Sequence, residues 1–523
     1  MKWFWENCIK CLIGGKGNMK KSKGLFAVLL VCIGLLTACS EKTGNRVSTN
    51  SSGEKKEVTE LFIFNSKGEI ADTFQEVATA YEKETGVKVR IFNTNAGDNY
   101  MQALRTLMNE KVKPDIYTVQ TVTELTEWVS YDYAMDFSTA KNMTPEFKKL
   151  TEGISEELRM TLGEGTSYGI PYNMEGYGYI VDTKMIENIF GSAKRDVVLE
   201  ALRTCSYEEW EVFVRALGDM IDTGTADHVT LSGQQFAMKK DGLAKKLTGV
   251  FAFAGTDAWT YGDHYLNVAL CAGVNNVSEA LNADKATVKN VKGAIKAFAK
   301  ALDLKTSYAA GDTGHLTRSA AMVDSKTNGY DAAIKKFATS KAVFFKNGNW
   351  VTSAIQAIDS DMAERLVFIP VKMPVREEDI TAKGMTVEQM NSTIPVFVPM
   401  YYAVNARNDE THQKAAQDFL VWLNTSKTGQ KYITETFQFI PFNADPAKTQ
   451  LDNALGNSII EYVNRGGTLS NPYNGAPSNW GGNTVGAYIQ GKYLTKEQWG
   501  DAVYEDIANY AINQWISMGE IEK

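Results

Sequence analysis

The sequence predicts an α/β protein of at least two domains, on three observations. Short apolar strands alternate with amphipathic helices from Thr59 to Val119, the pattern of a largely parallel sheet. The chain has 523 residues, more than a single hydrophobic core accommodates. Its 44% apolar and 11% aromatic composition is that of a globular protein, neither disordered nor built to span a membrane.

Ahead of the globular part, Met19 opens a signal-like segment. Lys20, Lys21 and Lys23 precede an apolar run from Leu25 to Ala38. Its fourteen residues suit a signal-peptide core and fall short of the ~20 that cross a bilayer. The run ends in Leu36-Thr37-Ala38-Cys39, which resembles the lipobox of bacterial lipoproteins. That resemblance implies removal of residues 1–38 and a diacylglycerol on Cys39; an ordinary signal peptide with an incidental cysteine is the alternative. Residues 1–18 do not belong to the signal, so Met19 is expected to be the true start. Gly14-Gly15-Lys16 reads as a translated ribosome-binding site, and Cys8-x-x-Cys11 without a second pair is a weak metal signal. Ser40 to Val58 reads as a flexible tether, with ten of nineteen residues Ser, Thr, Asn or Gly, spanning roughly 25 Å.

Six of the 55 Lys and Arg and one of the 62 Asp and Glu precede Cys39, leaving 49 basic and 61 acidic residues and a net charge of −12. That balance argues against nucleic acid or a polybasic membrane contact. Beyond Cys39 only Cys205 and Cys271 remain; a disulfide and two buried free thiols are both open.

The elements follow in order. Leu61 to Phe64 reads as a buried strand, and Phe74, Val77, Ala78 and Tyr81 mark one helix face closed by Gly86. Val87, Val89 and Ile91 alternate as a second strand, Tyr100 to Lys113 reads as a helix, and Asp115 to Val119 as a third strand. The middle, from Ile180 to Leu304, is richer in helix; Ser206 with Glu209 has capping-box spacing. Ala342 to Phe345 and Leu366 to Val371 read as strands, and Ala416, Phe419, Leu420 and Leu423 share a helix face. The Gly/Asn-rich stretch from Arg465 to Asn483 reads as a long loop, a length that is often functional.

Catalytic and cofactor motifs are sparse. Gly165-Thr166-Ser167-Tyr168-Gly169 matches G-x-S-x-G, but a nucleophile elbow needs a strand before and a helix after, so a hairpin turn is the better reading. His228, His264, His315 and His412 are too widely spaced for a metal pair, although an oxygen-ligand Ca²⁺ site stays open. No phosphate or dinucleotide fingerprint occurs, and no cofactor or metal is expected.

Six segments, in order from Thr59 to Asn443, resemble the sugar-type extracellular solute-binding proteins (family 1) of ABC importers. They are the strand-helix-strand from Thr59 to Phe92, "PDIY" from Pro114, "YGIPYNMEGYGYIVDTKMI" from Tyr168, "SYEEWEVFVRAL" from Ser206, "AVFFKNGNWVTSAI" from Ala342 and "KAAQDFLVWLNTSKTGQKYI" from Lys414. The resemblance implies a two-lobed periplasmic-binding-protein-like fold of type II, its ligand cleft between lobes joined by crossing strands. Residues 59–173 and 395–442 are expected to form the first lobe, 176–370 and 443–523 the second, and 371–394 the second crossing. The protein is expected to be a monomer, anchored by lipid alone on the extracytoplasmic face, handing a carbohydrate to ABC permease subunits.

In this resemblance Glu175 faces the cleft and accepts from sugar hydroxyls, with Tyr177 beside it, and Gly176 and Gly178 let the backbone turn. Trp350 stacks on a sugar ring, and Trp259 with Tyr261 belongs to a ring-bearing loop. Asn65 and Ser66 sit at the carboxyl end of the first strand, where open α/β sheets bind ligands. Asp98, Gln120 and Trp480 complete the expected binding set; each is equally open to a loop or packing role. A secreted glycoside hydrolase and a same-fold receptor for a peptide or polyamine remain alternatives.

Overall fold

The computed structural model describes residues 58–94, 99–155, 158–163 and 165–521. The signal segment, Cys39, tether residues 40–57 and Asp98 lie outside the described residues.

Two main sheets organise the chain. The first uses β1 (Glu60–Asn65), β2 (Lys88–Asn93), β3 (Ile116–Val119), β4 (Ile170–Pro171) and, from far along the sequence, Tyr401–Val404. Its order is β2-β1-β3-(Tyr401–Val404)-β4; β1 pairs in parallel with β2 and β3, and the returning strand is antiparallel to β3 and β4. Five of the six β1 residues are buried because helices cover both faces. Ala71–Thr85 and Glu410–Thr425 pack on one side, where Tyr81 meets Phe419 edge-on at 5.0 Å. Tyr100–Met108 and Val122–Ser130 pack on the other, where Leu104, Leu125 and Trp128 cluster with Phe64 and Tyr117. Gly86 ends Ala71–Thr85 in the left-handed region at φ 79°, its N–H donating to the Glu82 carbonyl. Tyr100–Met108 stops short of the expected Lys113, because the Asn109 side chain caps the Arg105 carbonyl at 2.8 Å.

The second sheet is built on β5 (Glu175–Asp182), all eight of whose residues are buried. After the hairpin β6 (His228–Leu231) and β7 (Gln234–Ala237) come β8 (Gly249–Ala252), β9 (Ala342–Gly348), β10 (Leu366–Ile369) and β11 (Ile394–Phe397). The returning Tyr401–Val404 strand of the first sheet is β12, and β13 (Thr468–Leu469) is the last. The order is β13-β11-β5-β9-β8, with β10 pairing the far end of β5. Tyr179 anchors its core against Trp210 at 5.2 Å and Phe251 at 5.4 Å. The predicted capping box is present: Glu209 N–H donates to Ser206 Oγ and Ser206 N–H to Glu209 Oε2. Cys205 and Cys271 are buried free thiols.

The chain passes between sheets at Tyr172–Met174, from β4 to β5, and again at Val398–Met400, from β11 to β12. Residues 371–394, expected to make that second passage, instead stay with the second sheet. There the Lys372 ammonium donates to the carbonyls of Arg203 at 2.9 Å, Cys205 at 3.0 Å and Asn391, and Thr381 N–H donates to the Ala272 carbonyl. Gly176 and Gly178 do not turn the backbone; both lie within β5. A Cβ on Gly178 would stand 2.7 Å from the Ile369 carbonyl, and one on Gly176 2.9 Å from Ile459, so close strand and helix approach requires glycine at both. The Arg465–Asn483 stretch is more ordered than a loop, containing β13 and short helical turns at Pro472–Gly475 and Gly481–Gly486.

Lys305 is an anomaly of the second core. It is 2% exposed, its ammonium lies 5.0 Å from the Phe253 ring and 5.3 Å from Tyr265, and burial pushes its pKa from 10.5 down to about 7. Between those values the unfolded chain holds a proton that the folded chain has released, so stability rises with pH there by up to about 1.4 kcal/mol per unit. Below about 7 both states hold the proton and the folded protein carries a buried ammonium. Lys305→Met is therefore expected to be more stable than wild type at pH 6 by several kcal/mol, less what the ammonium gains from the Phe253 and Tyr265 rings. The advantage should shrink as pH rises through the window. Denaturant melts of both proteins at pH 6, 8 and 10 check it; a difference that does not vary with pH is the contrary result.

Candidate ligand cleft

A cleft of about 570 Å³ opens where the two sheets meet, within the range of small-molecule sites. Its floor is Glu175 at the start of β5, with Phe397 at the end of β11 and Pro399 and Met400 in the passage that follows. One wall is the N-terminus of helix Val122–Ser130, presenting Gln120, Thr121, Thr123 and Glu124. Thr121 caps that helix by accepting from Glu124 N–H, and Glu124 in turn accepts from Gln120 N–H at 2.8 Å and from the Tyr100 hydroxyl. Burial raises the pKa of Glu124.

The facing wall comes from the second sheet's side. Trp259 and the Asp263-His264 pair sit at the junction of helices Trp259–Gly262 and His264–Leu270, and Trp350 follows β9. Rings pack into a shelf: His264 lies 5.2 Å from Trp259, edge-on, and 5.1 Å from Trp350. Beneath it the fully buried Tyr177 stacks on His264 at 4.7 Å. Trp350 Nε1 donates to the Tyr330 hydroxyl at 3.1 Å, and its indole crosses Gly348 so closely that a Cβ there would overlap it. The wall continues through Asn471, Tyr473, Asn474 and the polar run Ser478, Asn479 and Asn483. Burial, and behind it the Lys346 charge, hold His264 neutral, its pKa well below 6.5. Its Nδ1 is buried without a hydrogen-bond partner among the described residues. Asp263 accepts from the Tyr473 hydroxyl at 2.6 Å and from Gly482 N–H, and burial raises its pKa.

Glu175 is held from behind by a residue the sequence reading missed. Lys67 Nζ donates to Glu175 Oε1 at 2.8 Å, both side chains being no more than 5% exposed, and Asn173 Nδ2 adds a second donor at 3.1 Å. Lys67 is placed by Asn65, whose Oδ1 accepts from Lys67 N–H and whose Nδ2 donates to the Lys67 carbonyl, both at 3.1 Å.

Of the residues expected at the site, Gln120, Glu175, Trp259 and Trp350 line the cleft together. Asn65 and Tyr177 are buried one layer behind it, and Ser66 bonds to Thr118 Oγ1 at 2.7 Å. Tyr261 and Trp480 have no exposed surface at all. The Tyr261 hydroxyl donates to the Gly255 carbonyl; Trp480 packs 4.7 Å from Trp515 and donates to the Ala511 carbonyl. The Gly/Asn stretch does reach the cleft, but through its amides and Tyr473 rather than its tryptophan. Ser167 lies at the foot of a turn whose ends bridge at Met160 and Tyr168, its N–H bonded to Asp136, as the hairpin reading expects.

Residues 76–454 match the family described as bacterial extracellular solute-binding protein. A multiple sugar-binding protein of Streptococcus mutans is 22% identical over 415 residues, spanning 79% of this chain and 80% of that one. The solved apo form of RafE from Streptococcus pneumoniae superposes with a TM-score of 0.56 at 16% identity, over 88% of this chain and 98% of RafE. A family 1 extracellular solute-binding protein from Bifidobacterium longum subsp. infantis gives 0.53 at 14% identity, over 88% and 100%. The fold is thus the two-lobed, type II periplasmic-binding-protein architecture.

Removing one member of a buried ion pair strands the other charge, at a cost of about 3–5 kcal/mol, whereas replacing both is often nearly neutral. Lys67→Met and Glu175→Gln are each expected to lower stability, and the double variant to recover most of the Lys67→Met loss. Urea denaturation of the four proteins checks this; additive losses are the contrary outcome.

Proposed function

From the premise that the chain belongs to the bacterial extracellular solute-binding proteins, we propose that it captures a carbohydrate, of oligosaccharide length, and delivers it to an ABC importer permease. The family consists of binding proteins rather than enzymes, which leaves the hydrolase alternative without support. The observation that carries the carbohydrate reading is the shelf of Trp259, His264 and Trp350 facing polar side chains across a cleft floored by Glu175. Aromatic faces take the apolar C–H side of a sugar ring, while carboxylate and amide groups take its hydroxyls. The names of similar proteins point the same way: one is a multiple sugar-binding protein, and RafE is described in complex with raffinose.

In this proposal Gln120, Glu175, Trp259 and Trp350 contact the ligand, and Asn65, Ser66 and Tyr177 support them from behind. The lobes are the units built on the two sheets, hinged at Tyr172–Met174 and Val398–Met400, and they close on the sugar. Cys39 carries the lipid that keeps the protein at the membrane, with the tether between anchor and body.

Titration calorimetry against an oligosaccharide panel that includes raffinose tests the reading. Binding without release of reducing ends is expected, with a smaller radius of gyration by X-ray scattering at saturation. Trp350→Ala should weaken the best ligand by about 30-fold, the roughly 2 kcal/mol of a buried aromatic anchor, while the unliganded melting temperature changes little. Absence of binding to every glycan sinks the carbohydrate reading; a collapsed melting temperature assigns Trp350 to packing instead.

Anchoring has its own test. Cys39→Ala should leave the precursor uncut and unlabelled by palmitate, since only lipid on that thiol provides the attachment. Wild-type labelling of the variant would refute it.

A further inference from the structure

The charge of the cleft is settled before any ligand arrives. Among the described residues three acidic ones line it, Glu124, Glu175 and Asp263, and no lysine or arginine does. Each carboxylate already holds donors from the chain itself. Glu175 has the Lys67 ammonium and the Asn173 amide, Asp263 the Tyr473 hydroxyl and Gly482 N–H, and Glu124 the Tyr100 hydroxyl and Gln120 N–H. Lysines stand behind the lining rather than in it: Lys346 is buried 4.7 Å from the Tyr177 ring, its Nζ donates to the Thr260 carbonyl at 2.9 Å, and burial holds its pKa well below 10.5.

We propose that this cleft selects an uncharged glycan and rejects both acidic sugars and cations such as polyamines or deacetylated amino sugars. The inference rests on the carbohydrate reading above and adds the charge class of the ligand. A ligand carboxylate or sulfate would lie against three acidic side chains with no lysine or arginine in the described lining to pair with, in a partly desolvated space where an unpaired charge is disfavoured. An ammonium would meet Glu175, whose charge the Lys67 ammonium already answers at 2.8 Å, and Glu124 and Asp263, whose ionisation burial disfavours. A buried charge that gains no partner is disfavoured. A neutral hydroxyl avoids both conflicts. It donates to a carboxylate lone pair left over and accepts from the amides of Gln120, Asn474 and Asn483 without bringing net charge.

Matched pairs of probes test this on the purified full-length protein. Triacetylchitotriose is set against its deacetylated trimer, xylotriose against its glucuronic-acid-substituted form, and raffinose and spermidine are added singly, all by calorimetry at 0.15 M salt. The expected result is that a neutral glycan binds and exceeds its charged counterpart at least tenfold, with spermidine silent. A charged sugar that matches or exceeds its neutral partner overturns the charge inference and leaves the carbohydrate reading standing. Spermidine binding in the absence of any sugar binding overturns both. Silence from the whole panel removes the carbohydrate reading, and this inference goes with it.

Discussion

The ion pair between Lys67 and Glu175 joins the two sheets at their meeting point, and the geometry of the cleft depends on it. The partners are 108 residues apart, one just past the end of β1 and the other opening β5. Taking both ions out of water costs several kcal/mol each, recovered only where the geometry is close and the remaining lone pairs are satisfied. Here the contact is 2.8 Å, Asn173 adds a donor, and Asn65 grips the Lys67 backbone on both sides. Tyr172 extends the chain of contacts, donating to Asn65 Oδ1 and stacking on Tyr402 of β12 at 4.1 Å. Carboxylate, ammonium and passage strand are therefore positioned as one unit.

Steric constraint does the same for the ring shelf. β5 is crowded by β10, β11 and the helix bearing Ile459, closely enough that Gly176 and Gly178 admit no side chain. Tyr177, between those glycines, points its ring into the gap between Lys346 and His264, 4.7 Å from each. The imidazole above it is thus supported from below, flanked by Trp259 and Trp350, and kept neutral by the same burial and the same lysine. A shelf packed this way loses little freedom when a ligand covers it, which lowers the entropic cost of binding.

Local signals in the sequence were legible and long-range ones were not. The helix face of Phe74, Val77, Ala78 and Tyr81, the cap at Gly86 and the capping box at Ser206 are each encoded within a turn or two, and the structure carries all of them. Glu175 and Trp350 were placed by the resemblance of their segments to solute-binding proteins, and both line the cleft. Lys67 gave no such sign, because its partner lies 108 residues away and only the topology unites them. Trp480, open between binding, loop and packing, was undecided for a related reason, and the structure packs it. A tryptophan in a Gly/Asn-rich stretch looks exposed from its neighbours alone, yet Trp515 and the Ala511 carbonyl, both from the last helix, bury it. The glycines of β5 were misassigned because sequence shows a missing side chain without showing the backbone that excludes it.

The two walls of the cleft are made differently, and the difference bears on the proposed closure. The ring-bearing wall is knitted together by glycine contacts: a Cβ on Gly482 would stand 2.8 Å from Trp259, and one on Gly262 2.6 Å from Gly482. Short turns of the late chain are thereby locked to the helices at Trp259 and His264. The opposite wall is a helix N-terminus where Thr121 Oγ1 accepts from Glu124 N–H and whose first turn carries the Glu124 side chain. Cα atoms of that helix come within 8 Å of the turn at Pro472–Gly475, so the two walls meet at one edge of the cleft. A ligand confined to the ring shelf would touch only the locked wall and bind open and closed forms alike, shifting nothing. The proposed closure therefore requires a ligand long enough to rest on Trp350 and also reach Gln120 and Thr123, which in the carbohydrate proposal favours more than one sugar ring.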